Sequence, residues 1–125
     1  MAKMNSLVLV ALPLFFLHTL EEYFFNFIET DASIGWLANM FDVSRTNAYW
    51  TVQVLVYVYL LLLIYNPARK IMYVPLGVIF VVEIHHIWET VTQWNYASGF
   101  WTSIPLVILG AVFWKALLAK HAKQN

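Results

Sequence analysis

With 125 residues, of which 62% are hydrophobic and only 11% charged, the chain is too apolar for a soluble domain, where about a quarter of residues are charged. Seven basic and seven acidic residues give zero net charge, so no nucleic-acid partner is expected. The lack of cysteine excludes disulfides, thiolate nucleophiles and thiolate metal ligands. A mean hydropathy of +0.67 over this length predicts a single all-α membrane domain over 1–125, a bundle of four transmembrane helices in the lipid bilayer.

The first span is expected over residues 6–28, with Pro13 in its first half. No small-residue cleavage site precedes its charged motif, so it reads as an uncleaved span. Residues 29–47 form the one long connection, with an apolar centre from Ile34 to Phe41 that predicts a short interfacial helix. A second span over 48–65 follows Ser44, a natural helix cap, and stops at Asn66-Pro67. The third, 71–93, holds Pro75 and Gly77 early and Glu83-Ile84-His85-His86-Ile87-Trp88-Glu89 late. A plain fourth helix over 100–119 leads into a basic tail with Lys120, His121 and Lys123.

Charge asymmetry gives the expected orientation. Four spans put Lys3, Arg69, Lys70, Lys115, Lys120 and Lys123 on one side, leaving only Arg45 on the other. The positive-inside rule makes that side cytoplasmic, with both termini there, in the cell (inner) membrane. Trp36, Trp50, Trp94 and Trp101 then fit an aromatic belt at the outer boundary.

The first span carries His18-Thr19-Leu20-Glu21-Glu22 at its middle. One acidic residue at a helix centre costs roughly 2.5–3.5 kcal/mol on insertion scales, so intramembrane acids default to a functional reading. Positions i, i+3 and i+4 place His18, Glu21 and Glu22 on one helical face. Spans one and three run in the same direction. The two clusters begin about 12 and 14 residues into them, which at about 1.5 Å per residue brings both to nearly one depth, past the midplane towards the outside. The echo between His18/Glu22 and His85/Glu89 suggests two related helical hairpins.

Imidazole and carboxylate together suit a divalent transition metal: Zn, Fe or Mn. The candidate ligands are His18, Glu21, Glu22, Glu83, His85, His86 and Glu89, enough for one ion plus a general base or for two ions. Glu22 or Glu89 is expected as the catalytic base. Adjacent helix positions diverge by about 100°, so one of His85 and His86 could be confined to an outer hydrogen bond, and Glu83 could face another helix. Gln53 and Tyr57 on span two are candidate supporting donors, Asn26 and Gln93 extend the polar faces outward, and Trp88 either lines the site or faces lipid. Haem ligation is disfavoured by the surrounding carboxylates.

A small four-span protein with His18-x-x-Glu21-Glu22 in its first helix resembles the HXXEE-motif family of small prokaryotic membrane proteins. The resemblance covers nearly the whole chain. It implies that His18, Glu21 and Glu22 match a shared signature, and it implies no reaction. A looser likeness extends to membrane isomerases and hydroxylases with intramembrane histidines, but the repeated His-x-x-His-His boxes of the hydroxylases are missing.

The expected function is therefore a membrane-embedded metal-dependent enzyme, open toward the outer side, acting on a lipidic or small apolar substrate by hydrolysis, isomerisation or oxidation. A metal-ion or proton transporter and a non-catalytic accessory subunit are the alternatives. Transport needs a polar route through the inner halves, Leu7 to Leu17 and Ile71 to Val82, which show no polar stripe. A chain this short commonly forms homo-oligomers, though no Gly-x-x-x-Gly pair marks a face for it.

Overall fold

A computed structural model describes residues 2–65 and 70–119; Asn66, Pro67, Arg69 and the tail residues Lys120, His121 and Lys123 lie outside the described residues. The described chain is helical, with α1 (Ala2–Phe24), α2 (Phe27–Thr30), α3 (Ala32–Phe41), α4 (Arg45–Tyr65), a 3-10 turn (Lys70–Tyr73), α5 (Val74–Val82), α6 (Ile84–Gln93) and α7 (Phe100–Ala119). Four stretches are long and apolar enough to cross a membrane: Met4–Phe24, Arg45–Tyr65, Ile71–Gln93 and Phe100–Ala119.

The first helix ends earlier than the hydropathy pattern predicts, at Phe24 and not near residue 28. Asn26 takes a left-handed backbone (φ 65°), a conformation that terminates helices and that asparagine tolerates well. Its carbonyl then accepts the first bonds of α2, from the N–H groups of Glu29 and Thr30 (both 3.2 Å). Asp31 caps α3 by accepting from the Ile34 N–H at 3.0 Å. Arg45, at the start of α4, donates to the carbonyls of Ile28 (3.1 Å) and Asp31 (2.9 Å). That guanidinium ties the short helices to the bundle. Ser44 does cap α4, accepting from the Asn47 N–H at 3.1 Å.

Pro75 falls in the first turn of α5, where proline costs no hydrogen bond, so it starts the helix and does not kink it. The third span is interrupted instead at Glu83, between α5 and α6, although the backbone there stays right-handed (φ −58°, ψ −22°).

Helix α1 runs parallel to the α5–α6 span and antiparallel to α4 and α7. At one end, which we call the terminal end, the Tyr73 hydroxyl donates to Asn5 Oδ1 (2.7 Å). Further along, Phe15 stacks on Phe80 with ring centroids 5.7 Å apart. That half of the bundle is a close-packed apolar core of Met4, Val8, Ala11, Phe15, Leu60, Leu63, Leu76, Phe80, Leu106, Phe113 and Leu117. At the opposite, loop end lie α2, α3 and the 94–99 turn.

Helix α7 lies close against α5 at Gly110, where an added Cβ would meet Phe80 Cβ at 2.6 Å. Gly110→Ala should force the helices apart and lower stability by about 1–3 kcal/mol, the usual range for overpacking. Ala111→Leu, on an exposed position one residue on, should leave the unfolding midpoint of the detergent-solubilised protein unchanged.

Candidate metal centre

The fold brings four of the seven candidate ligands together. His18 and Glu22 on α1, Glu83 at the α5–α6 junction and His86 on α6 are all buried, between 3% and 7% exposed. His18 Nε2 lies 3.3 Å from Glu22 Oε1 and 3.2 Å from Glu83 Oε2. His86 Nε2 is 3.8 Å from the same Glu22 oxygen. One ligand atom each from His18, Glu22 and His86 falls within 4.8 Å of the others. A tetrahedral ion with bonds near 2.0–2.1 Å holds its ligand atoms roughly 3.3–3.4 Å apart, so these separations approach those of a metal site.

The carboxylates are held from outside the cluster. Tyr49, fully buried at the start of α4, donates to Glu22 Oε2 at 2.9 Å, and Gln53 Nε2 donates to the same oxygen at 3.2 Å. Their bonds leave Oε1 to face the histidines. Gln53 Oε1 accepts in turn from the Thr19 hydroxyl (3.1 Å), which also pairs with Tyr57 (2.7 Å). On the other side, the Ser103 hydroxyl of α7 donates to Glu83 Oε2 at 3.0 Å. Such outer bonds orient ligands and fix their charge state. Among the described residues, His86 Nδ1 is a buried polar atom with no hydrogen-bond partner.

The other three candidates lie elsewhere, for a reason helical geometry supplies. His85 and Glu89 pair with each other (3.1 Å), with side chains 54% and 31% exposed, on a face about 100° from that of His86. They lie outside the buried group of His18, Glu22 and His86, with Glu89 lining the cavity at the loop end. Glu21 turns away from the histidines to the first turn of α7. Its two oxygens accept from the N–H groups of Trp101 (3.0 Å) and Thr102 (2.8 Å) and from the Thr102 hydroxyl (2.5 Å), and Tyr96 donates to it as well. Partial burial, reinforced by the Glu21 carboxylate, pushes the Tyr96 phenol above its ordinary range, which keeps it a donor.

Of the predicted supporting residues, Gln53 touches Glu22 directly and Tyr57 only through Thr19. Asn26 is exposed in the turn after α1, so it extends no polar face of that helix. Trp88 is 66% exposed, and Gln93, exposed as well, lines a cavity at the loop end. Residues the pattern did not single out are Tyr49, Thr102, Ser103 and Gly99. Tyr49 carried a signal, four residues before Gln53 on the same helix face. The α7 residues carried none, because their partners are 20 to 84 positions distant.

Gly99 backs both histidines of the cluster. It has a φ of +89°, and an added Cβ would meet His18 Cε1 at 2.6 Å and His86 Nδ1 at 3.3 Å. The residue at this cap position can therefore carry no side chain, and the exposed N–H groups of α7 are capped by Glu21 from another helix. Outward of His86, whose ring is 5.4 Å from that of Phe27, a cavity of about 350 Å³ opens among residues including Phe25, Phe27, Asp31, Glu89, Gln93 and Tyr96.

Comparison with known proteins finds no matching family model, no matching curated protein and no matching solved structure.

Gly99→Ala is expected to destabilise the protein by about 1–3 kcal/mol through backbone strain and displacement of the His18 ring. Thermal unfolding in detergent measures the first effect. Histidine ring NMR signals, shifted for His18 and His86 but unchanged for His85, measure the second.

Proposed function

We propose that the protein is a multi-pass membrane enzyme in which His18, Glu22 and His86 bind one divalent transition metal, with Glu83 as general base. The observation that carries this reading is the convergence of His18 Nε2, Glu22 Oε1 and His86 Nε2 at 3.3 and 3.8 Å inside an apolar bundle. Two carboxylates and two imidazoles are costly there unless a positive charge joins them. A dication meets that need directly.

Three ligands with an open position form the pattern of a catalytic site, and one ion is what this donor set suits. When bound, such an ion supplies Lewis acidity and an activated water. The chain's own groups do the rest. Glu83, held by Ser103 and adjacent to the ligand nitrogen of His18, is placed to take a proton from water or substrate. Tyr49 and Gln53 hold Glu22 as a ligand, which leaves Glu83 as the base. The reaction class this supports is hydrolysis or isomerisation of a lipidic or small apolar substrate, entering by the cavity beside Phe27.

On this reading the loop end faces outside and the terminal end faces the cytoplasm, in the cell membrane. Lys115 falls near the end of α7 at the terminal end. Arg45 is the basic residue at the loop end, and its guanidinium serves the carbonyls of Ile28 and Asp31. Trp36, Trp50, Trp94 and Trp101, all exposed at the loop end, suit the headgroup layer there, and α3 suits the interface. The His18-x-x-Glu21-Glu22 signature supports a place among the HXXEE-motif proteins.

Protein purified without added metal should contain about one equivalent of Zn, Fe or Mn by elemental analysis. His18→Ala/Glu22→Ala should lose it, whereas His85→Ala/Glu89→Ala should keep it. No metal in the parent, with no gain on reconstitution, would end this reading. Glu83→Gln should retain metal yet turn over lipid-extract substrates at least 100-fold more slowly, as followed by mass spectrometry of products in nanodiscs.

A further inference from the structure

Thr102 joins Glu21 and His18 of the motif helix through one hydroxyl. Its hydroxyl lies 2.5 Å from Glu21 Oε2 and 2.8 Å from His18 Nδ1. A hydroxyl has a single proton to give and lone pairs to accept with. Glu21 already accepts two backbone N–H groups, one on each oxygen, at the positive end of helix α7. A carboxylate held in this way accepts and does not donate, so the Thr102 proton goes to Glu21. The hydroxyl oxygen is then left to accept, and the proton on the other side of the bond belongs to His18 Nδ1.

From this we infer that Thr102, oriented by Glu21, is a positioning residue that fixes His18 with its proton on Nδ1 and its Nε2 lone pair turned into the centre. The assignment rests on the metal reading for its use but not for its geometry. Nε2 is the nitrogen 3.3 Å from Glu22 and 3.2 Å from Glu83, and with Nδ1 protonated it is the nitrogen able to ligate. A ring flipped by half a turn would set Cδ2–H against the Thr102 hydroxyl and Cε1–H toward the carboxylates, giving up the contacts of both nitrogens. Glu21 therefore acts on the centre without touching it, by the carboxylate–hydroxyl–imidazole path. The same logic governs metal-bound histidines generally, whose second nitrogen donates to a fixed acceptor.

The test uses the full-length protein in detergent with ¹⁵N-labelled histidine, and Zn²⁺ or ¹¹³Cd²⁺ as the probe. Thr102→Val keeps the branched shape and both backbone N–H groups but removes the acceptor. It should weaken Zn²⁺ binding about 10–100-fold, with the His18 Nδ1–H signal lost or exchange-broadened. Thr102→Ser should restore both to within about threefold. In the parent, cadmium coupling should appear on His18 Nε2 and a proton on Nδ1. Parent-like affinity and spectra in Thr102→Val, or cadmium coupling on Nδ1, would overturn the assignment. If the parent binds no metal, the metal reading fails by itself. The spectrum of the metal-free protein then decides: an exchange-protected Nδ1–H lost in Thr102→Val upholds the positioning role, and a bare Nδ1 in the parent removes it.

Discussion

Two carboxylates and two imidazoles buried inside an apolar bundle set the terms for every other element of this protein. None of the four can be left unpaired in a medium that solvates charge poorly, because an isolated buried ion costs several kcal/mol. Outer partners meet three of the four, and His86 Nδ1 has none among the described residues. Helix α4 supplies Tyr49 and Gln53 to one oxygen of Glu22, and α7 supplies Ser103 to Glu83 and Thr102 to His18. His18 Nε2, Glu22 Oε1 and His86 Nε2 face one another, together with Glu83 Oε2, which accepts from Ser103 as well. The donors to Glu22 Oε2 thus leave Oε1 to the histidines, in a group that could hold a metal ion.

Adjacent glutamates in one motif serve different ends because successive side chains on a helix point about 100° apart. Glu22 enters the bundle. Glu21 goes round to α7, where it performs the capping that Gly99 cannot. Gly99 in turn lacks a side chain because the His18 ring occupies that space. The absence of a local cap and the closeness of the imidazole are therefore one fact. The motif helix and α7 are fastened at the loop end by a carboxylate on backbone N–H groups, and the fastening also reaches the centre through Thr102.

Much of this was legible in the sequence. Four apolar stretches gave the spans, with the third and fourth placed to within a few residues, since hydropathy over about 20 residues is a strong signal. Helical spacing put His18 with Glu22, and equal depth put them opposite Glu83 and His86. Two kinds of feature were not readable. Periodicity could not choose between His85 and His86, because each belongs to a self-consistent i, i+3 or i, i+4 pair with Glu89, and only the packing of α7 decides which faces inward. Nor could it reveal Thr102 and Ser103, ordinary residues in a helix without charges near its start. The early end of α1 was present in outline as Asn26, a residue that suits a left-handed stop, but the apolar Phe27 and Ile28 after it outweighed that signal in a hydropathy reading.

The bundle is unequal along its axis, and this bears on what the centre can do. At the terminal end, aromatic and aliphatic side chains such as Phe80, Phe113, Leu63 and Leu106 pack with little or no exposure. At the loop end, the buried cluster is followed by the Phe27 ring and then by a cavity lined with Asp31, Glu89 and Gln93. A transit site needs comparable routes on both sides, and a close-packed apolar core offers an ion nothing to replace its water. A catalytic site needs only one opening, together with an enclosed base and fixed ligands. The asymmetry of packing, with polar groups lining the loop-end cavity and a largely aliphatic and aromatic core at the terminal end, where the Tyr73–Asn5 hydrogen bond is a polar exception, supports the proposed catalysis over passage through the membrane.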